Sequence, residues 1–134
     1  MCARKKELEY TFGLYLNADG RRVFGKAGAR ILEAVEECGS MKAAAKELKI
    51  SYRFTWDYLT RMRKELHQPV VVTHRGGTPS AKKKGGGGTT LTPLAKALLK
   101  EFRETERFMQ QILSRRERPA VTSEVYNVNR KATS

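Results

Sequence analysis

The sequence predicts an α+β fold, mainly α, and three observations carry that prediction. Two short amphipathic segments follow one another with only three residues, KIS (49–51), between them. A β-branched run, VVVTH (70–74), and a threonine-rich one, TTL (89–91), bracket a stretch dominated by glycine and lysine. After Pro93 a long apolar stripe recurs at helical spacing as far as about Arg116.

In chain order, LEYTFGLYL (8–16) alternates apolar and polar residues, passes through NADG and continues as RRVF (21–24), which reads as an N-terminal β-hairpin. The period then becomes helical: Ile31, Leu32, Val35 and Cys38 share one face and Gly39 supplies the stop, so a first helix spans about 26–38. Ser40 caps MKAAAKELK, whose Ala44, Ala45 and Leu48 form a face small enough for another helix to approach closely. Lys49 stands where the chain turns toward positive φ and glycine is usual, at a strain of about 1 kcal/mol. Ser51 caps a third helix, YRFTWDYLTRMRKEL, with Thr55, Tyr58 or Leu59, Met62 and Leu66 turned inward, and Pro69 ends it. Residues 75–88 form a long loop between the two strands. In the final helix the stripe Leu94, Leu98, Phe102, Met109, Ile112 runs longer than one small domain can cover, which predicts a contact with a second copy. The tail, 117–134, is polar and mildly basic and is expected to be disordered or ordered by a partner.

A chain of 134 residues supports one domain with a modest core. Its 27 Lys and Arg against 14 Asp and Glu give a net charge of +13, the balance of proteins that sit on polyanions. Cys2 and Cys38 show neither CxxC spacing nor a histidine partner, so no metal site is expected and a reducing, cytoplasmic compartment fits. No apolar run reaches the roughly 18 residues of a membrane span, so no membrane association is expected. Catalysis is disfavoured. GGGGTT lacks the GK[ST] ending with which a phosphate loop places lysine on the phosphates and a hydroxyl on magnesium, and His67 and His74 have no catalytic neighbours. The sequence points to no catalytic residue and no cofactor.

Two helices joined by a three-residue turn, with a small-residue face on the first, make a helix-turn-helix; the two-stranded unit that follows makes it winged. The plainer alternative is an ordinary helical hairpin in an all-α core. In the winged reading residues 8–91 are the DNA-binding domain and 92–116 a dimer-contact helix. The third helix would enter the major groove and turn Ser51, Tyr52, Arg53, Trp56, Asp57 and Thr60 toward the bases. Arg53 can bond guanine bidentately, while Asp57, four residues on, can orient Arg53 or Arg61 instead of touching DNA. Trp56 fits an exposed contact or, beside Phe54, the core. Lys42, Arg61, Arg63 and Lys64 would meet phosphate, joined by Arg75, Lys82, Lys83 and Lys84 of the wing, where glycines let the loop approach the backbone without a side-chain clash.

GARILEAVEECGSMKAAAKELKISYRFTWDYL, then VVVTHRGG, then GGGGTTLTPLAKALL resembles the N-terminal winged-helix domain of the molybdate-responsive ModE regulators and, more distantly, the LysR-type regulators. SYRxxWD combined with GGGGxxLTP carries most of the likeness, which covers roughly residues 8–115. It implies sequence-specific transcriptional regulation by a homodimer on double-stranded DNA with a partly palindromic site, in a nucleoid-associated cytoplasmic protein. In those regulators molybdate-binding domains follow the long helix; this chain ends soon after it, so no molybdate site is expected here. The competing expectation is a nonspecific architectural DNA-binding protein, which a charge of +13 and a lysine-rich wing would also suit.

Overall fold

The computed structural model describes residues 8–74 and 88–116. The turn between the first two strands is set by Asp19 and Gly20, both at positive φ (49° and 77°), the combination that lets a two-residue hairpin follow the natural twist of its strands. It joins β1 (Leu16–Ala18) to β2 (Arg21–Phe24), antiparallel, with Ala18 opposite Arg21 and Leu16 opposite Phe24. The expected first strand over 8–16 is corrected: only Leu16 of that stretch joins the ladder. β2 is four residues long and gives way almost at once to a helix, so no backbone remains to pair with the earlier residues. Part of their alternation still serves the interior, because Leu14 and Leu16 pack against the core.

Helix α1 (Lys26–Cys38) ends where Gly39 takes φ 68° and donates its N–H to the Val35 carbonyl at 2.8 Å. At Gly28 it approaches its neighbours so closely that an added Cβ would lie 2.4 Å from the Cβ of Phe24 and 2.8 Å from the Tyr58 ring. Helix α2 (Met41–Leu48) is capped by Ser40, whose Oγ accepts the Ala43 N–H at 2.9 Å. Lys49 follows at φ 57°, the left-handed conformation expected there. Replacing it with glycine removes the Cβ strain at the cost of extra freedom in the unfolded chain. Lys49→Gly is therefore expected to raise stability in urea denaturation by up to about 1 kcal/mol; a lower midpoint would contradict the strain at this turn.

Helix α3 (Tyr52–Leu66) is capped by Ser51, whose Oγ accepts the Phe54 N–H at 3.0 Å. Strands β3 (Val71–His74) and β4 (Gly88–Leu91) pair antiparallel, Val71 opposite Leu91 and His74 opposite Gly88. Thr92 then secures the start of α4 (Pro93–Arg115): its hydroxyl donates to the Pro69 carbonyl at 2.9 Å and accepts the Ala95 N–H at 3.2 Å.

The described residues fall into two compact units, 13–106 and 8–12 with 107–116. The first contains the core, built on Val23, Phe24, Ile31, Leu32, Leu59 and Met62, and α4 contributes Ala95, Leu99 and Phe102 to it. The rings of Phe24 and Phe102 lie 5.2 Å apart at 51°. The first half of α4 is thus part of the domain's packing. Of the residues expected to contact a second copy, Phe102 is 5% exposed and belongs to the chain's own core, while Leu94 and Leu98 are half-buried beside it. The deciding residue is Ala95, which with Leu99 and Phe102 completes an i, i+4, i+7 line but is too small to stand out in a count of bulky apolar side chains. In the second unit no described residue is buried.

Candidate nucleic-acid interface

The tight connection between α2 and α3 is closed by two backbone hydrogen bonds: Ile50 donates to the Ala45 carbonyl at 3.0 Å and Lys49 to that of Lys46 at 3.2 Å. Ala44 and Ala45 are buried, so no bulky group separates the two helices. Thr55, Leu59 and Met62, at i, i+4 and i+7, bury one side of α3, and the Thr55 hydroxyl donates to the Ser51 carbonyl at 3.1 Å. The opposite side of α3 is thereby left to solvent on a rigidly mounted helix.

All six residues expected at the bases, Ser51, Tyr52, Arg53, Trp56, Asp57 and Thr60, are exposed. Trp56, for which the sequence left two readings, is half exposed and outside the core. Arg53 Nε lies 3.9 Å from Asp57 Oδ2 with both side chains largely in water. So loose an ion pair contributes little and leaves the guanidinium free to exchange partners. Lys42, Arg61, Arg63 and Lys64 are exposed as well. The Arg61 guanidinium stands 4.6 Å from the centroid of the Tyr58 ring, which restricts its direction. Arg75, Lys82, Lys83 and Lys84 lie outside the described residues.

Four further residues, absent from the sequence expectation, present cationic or aromatic groups at the surface. Phe54 is 51% exposed, its ring tilted against Tyr58 at 6.0 Å. Lys26 and Arg30 stand exposed one turn apart on α1. Arg22 lies 3.7 Å above the Tyr15 ring. The signal for the α1 pair was available, since positions 26 and 30 fall off the Ile31–Leu32–Val35 face. Phe54 gave none, because a phenylalanine beside a tryptophan reads as core.

On α4 one cation is neutralised. Arg103 makes a forked pair with Glu33, Nε to Oε1 and Nη2 to Oε2 (2.6 Å), and Nη1 donates to Glu106 at 2.8 Å. The Glu33 hydrogen bond, outweighing partial burial and assisted by Glu106, holds the guanidinium above its ordinary pKa. A base held in that direction stabilises the fold at every pH below its unfolded pKa and loses the effect only as pH rises through the folded one, so this contribution is constant across neutral pH. The Cys38 thiol donates to Glu47 Oε2 at 2.7 Å. Among the described residues no group of three His, Cys, Asp or Glu is placed to hold a metal ion, and no helix is long and apolar enough to cross a membrane.

Residues 28–96, just over half of the chain, match the sequence profile of the bacterial regulatory helix-turn-helix proteins of the LysR family. The chain belongs to that family. The LysR-family match spans α1 through the start of α4, and so includes the whole helix-turn-helix. The transcriptional regulator ModE of Haemophilus influenzae is 40% identical over 78 residues, 58% of this chain and 28% of that one. The molybdenum-pterin-binding protein MopB of Rhodobacter capsulatus is 34% identical over 102 residues, 76% of this chain and 35% of that one. The molybdenum transport protein ModE of Azotobacter vinelandii is 33% identical over 100 residues, 75% and 35% respectively. The chain therefore spans about a third of the length of these curated relatives. Among solved structures it is similar to a CbnR DBD–DNA complex (TM-score 0.46, 19% identity, 81% of this chain and 97% of that one). A BenM DBD complex with benA site 1 DNA is similar at TM-score 0.47 and 20% identity, over 66% of this chain and 86% of that one. LysR-family membership rests on the sequence match.

Proposed function

We propose that this LysR-family chain is a sequence-specific double-stranded-DNA-binding transcriptional regulator and not an enzyme, with α3 in the major groove. The observation that carries this reading is the two-sided character of α3. Thr55, Leu59 and Met62 fix one side in the core, and the other presents Arg53, Asp57 and Thr60 to solvent, where forked donors and small polar groups can meet base edges. Ser51, Tyr52 and Trp56 flank that line; Lys42, Arg61, Arg63 and Lys64 engage phosphate. The Gly/Lys stretch 75–88 acts as the wing, on backbone or minor groove. Competition binding with unrelated duplex at two salt concentrations tests the reading: a preference for one sequence that survives the higher salt supports it. Equal affinity for all sequences with a steep salt slope supports the architectural alternative, which the charge of +13 favours.

Replacing Lys82, Lys83 and Lys84 together with alanine is expected to weaken binding to all duplexes alike and to flatten the log K against log salt slope by up to about three. Loss of sequence preference at an unchanged slope would contradict the assignment of these lysines to phosphate.

The regulator acts as a homodimer through the second half of α4. The unit formed by 8–12 and 107–116 buries none of its described residues, yet presents Tyr10, Phe108 and Ile112 about half or more exposed, with Met109 between them. An amphipathic helical segment that buries none of its residues, as 107–115 does, calls for a partner surface. Two copies would then set their recognition helices about 34 Å apart, one turn of DNA. A sedimentation mass of one chain at micromolar concentration counts against the dimer.

A further inference from the structure

Phe54 is the one large apolar side chain on α3 that neither the core nor the proposed base-contacting line accounts for. It sits in the first turn of the helix, its own N–H held by the Ser51 cap, with about half of its surface in water. Its ring forms one wall of a small cleft of about 110 Å³ whose other walls are Ala27, Ile31, Leu48 and Ile50, with the Arg30 side chain completing the lining. The cleft is thus apolar inside and carries a fixed positive charge beside the recognition helix. Arg30 is exposed, and no carboxylate lies within ion-pair distance of it among the described residues. Folding draws only part of the available stabilisation from this ring, since a half-exposed phenyl recovers only a share of what full burial would give.

We propose that Phe54 is a specificity-determining residue, its ring and the cleft behind it receiving the C5-methyl group of a thymine while Arg30 meets a phosphate of the same DNA. The inference rests on α3 reading DNA, as proposed above. The chemistry of the two groups selects this occupant: a methyl is the single apolar feature that the major-groove edge of a base pair presents, and only thymine among the unmodified bases carries it. A cation beside an apolar contact complements a nucleic acid, in which every base is attached to an anionic backbone.

The test replaces thymine by deoxyuridine, one position at a time, in a duplex obtained by selection with the full chain. That exchange removes the methyl and leaves the hydrogen-bonding edge unchanged. At one position in each half-site the substitution is expected to weaken binding about fourfold, the factor for withdrawing one methylene-sized group from an apolar contact. Phe54→Ala is expected to bind the thymine and deoxyuridine duplexes equally, Phe54→Leu to keep part of the difference, and both to melt close to the parent. Arg30→Ala should weaken binding to every sequence alike and lower the salt slope by about one. If no position in the duplex responds to deoxyuridine with the unaltered protein, or if Phe54→Ala retains the full response, the assignment is overturned while sequence-specific reading by α3 stands. If selection yields no preferred sequence, both that reading and the role of Phe54 fall together.

Discussion

Phe102→Ala is expected to destabilise the domain by about 3–5 kcal/mol, enough to lower the melting temperature by roughly 15 °C or more. Phe102 is 5% exposed and its ring lies 5.2 Å from that of Phe24, so truncation removes apolar contact from both α4 and the hairpin and leaves a void between them. Few domains of this size have more than 5–15 kcal/mol to lose. The informative contrast is Ile112→Ala, on the same helix but 48% exposed, which should change the melting temperature by little and act on the sedimentation mass instead. The helix would then have two roles along its length, with the core ending near the close of the first unit. A Phe102→Ala protein that melts like the parent but sediments as a monomer would reverse this division.

Arg53→Ala is expected to leave folding untouched, because the side chain is 90% exposed and its pair with Asp57 is loose at 3.9 Å. On DNA it should cost about 1–3 kcal/mol at one guanine and relax preference at that position while leaving the others intact. Arg53→Lys should recover little of the discrimination, since a lysine supplies charge without the planar fork that matches guanine O6 and N7. A uniform loss of affinity on all sequences, with the salt slope reduced by about one, would instead assign Arg53 to phosphate.

Much of the fold was legible in the sequence because its turns are specified by local chemistry. Ser40 and Ser51 have the side chains that cap a helix, Gly39 the freedom to end one, and Asp19–Gly20 the positive φ of a tight hairpin; each acts within a few residues. The failures came where tertiary partners decide. Alternation over 8–16 looks like a strand, but a strand exists only where a partner offers backbone, and β2 offers four residues. On α4 the stripe read as a contact with a second copy gave Phe102 no place in the core, because Ala95, which completes the inward line with Leu99 and Phe102, owes its interior position to closeness to neighbours and not to bulk. On α3 the polar and charged positions fell outside as expected from a helical period, whereas Trp56 and Phe54 could not be assigned by hydrophobicity alone. Each is half exposed because the core side of the helix is already filled by Thr55, Leu59 and Met62.

The most direct measurement is selection of bound duplexes from a random pool by the full chain, sequenced after several rounds in the presence of competitor DNA. Sequence-specific reading by a paired α3 predicts an enriched motif with two-fold symmetry and half-site centres about one helical turn, some 10 base pairs, apart. A pool that stays random while retaining high affinity would contradict it and leave a protein that holds DNA by charge alone.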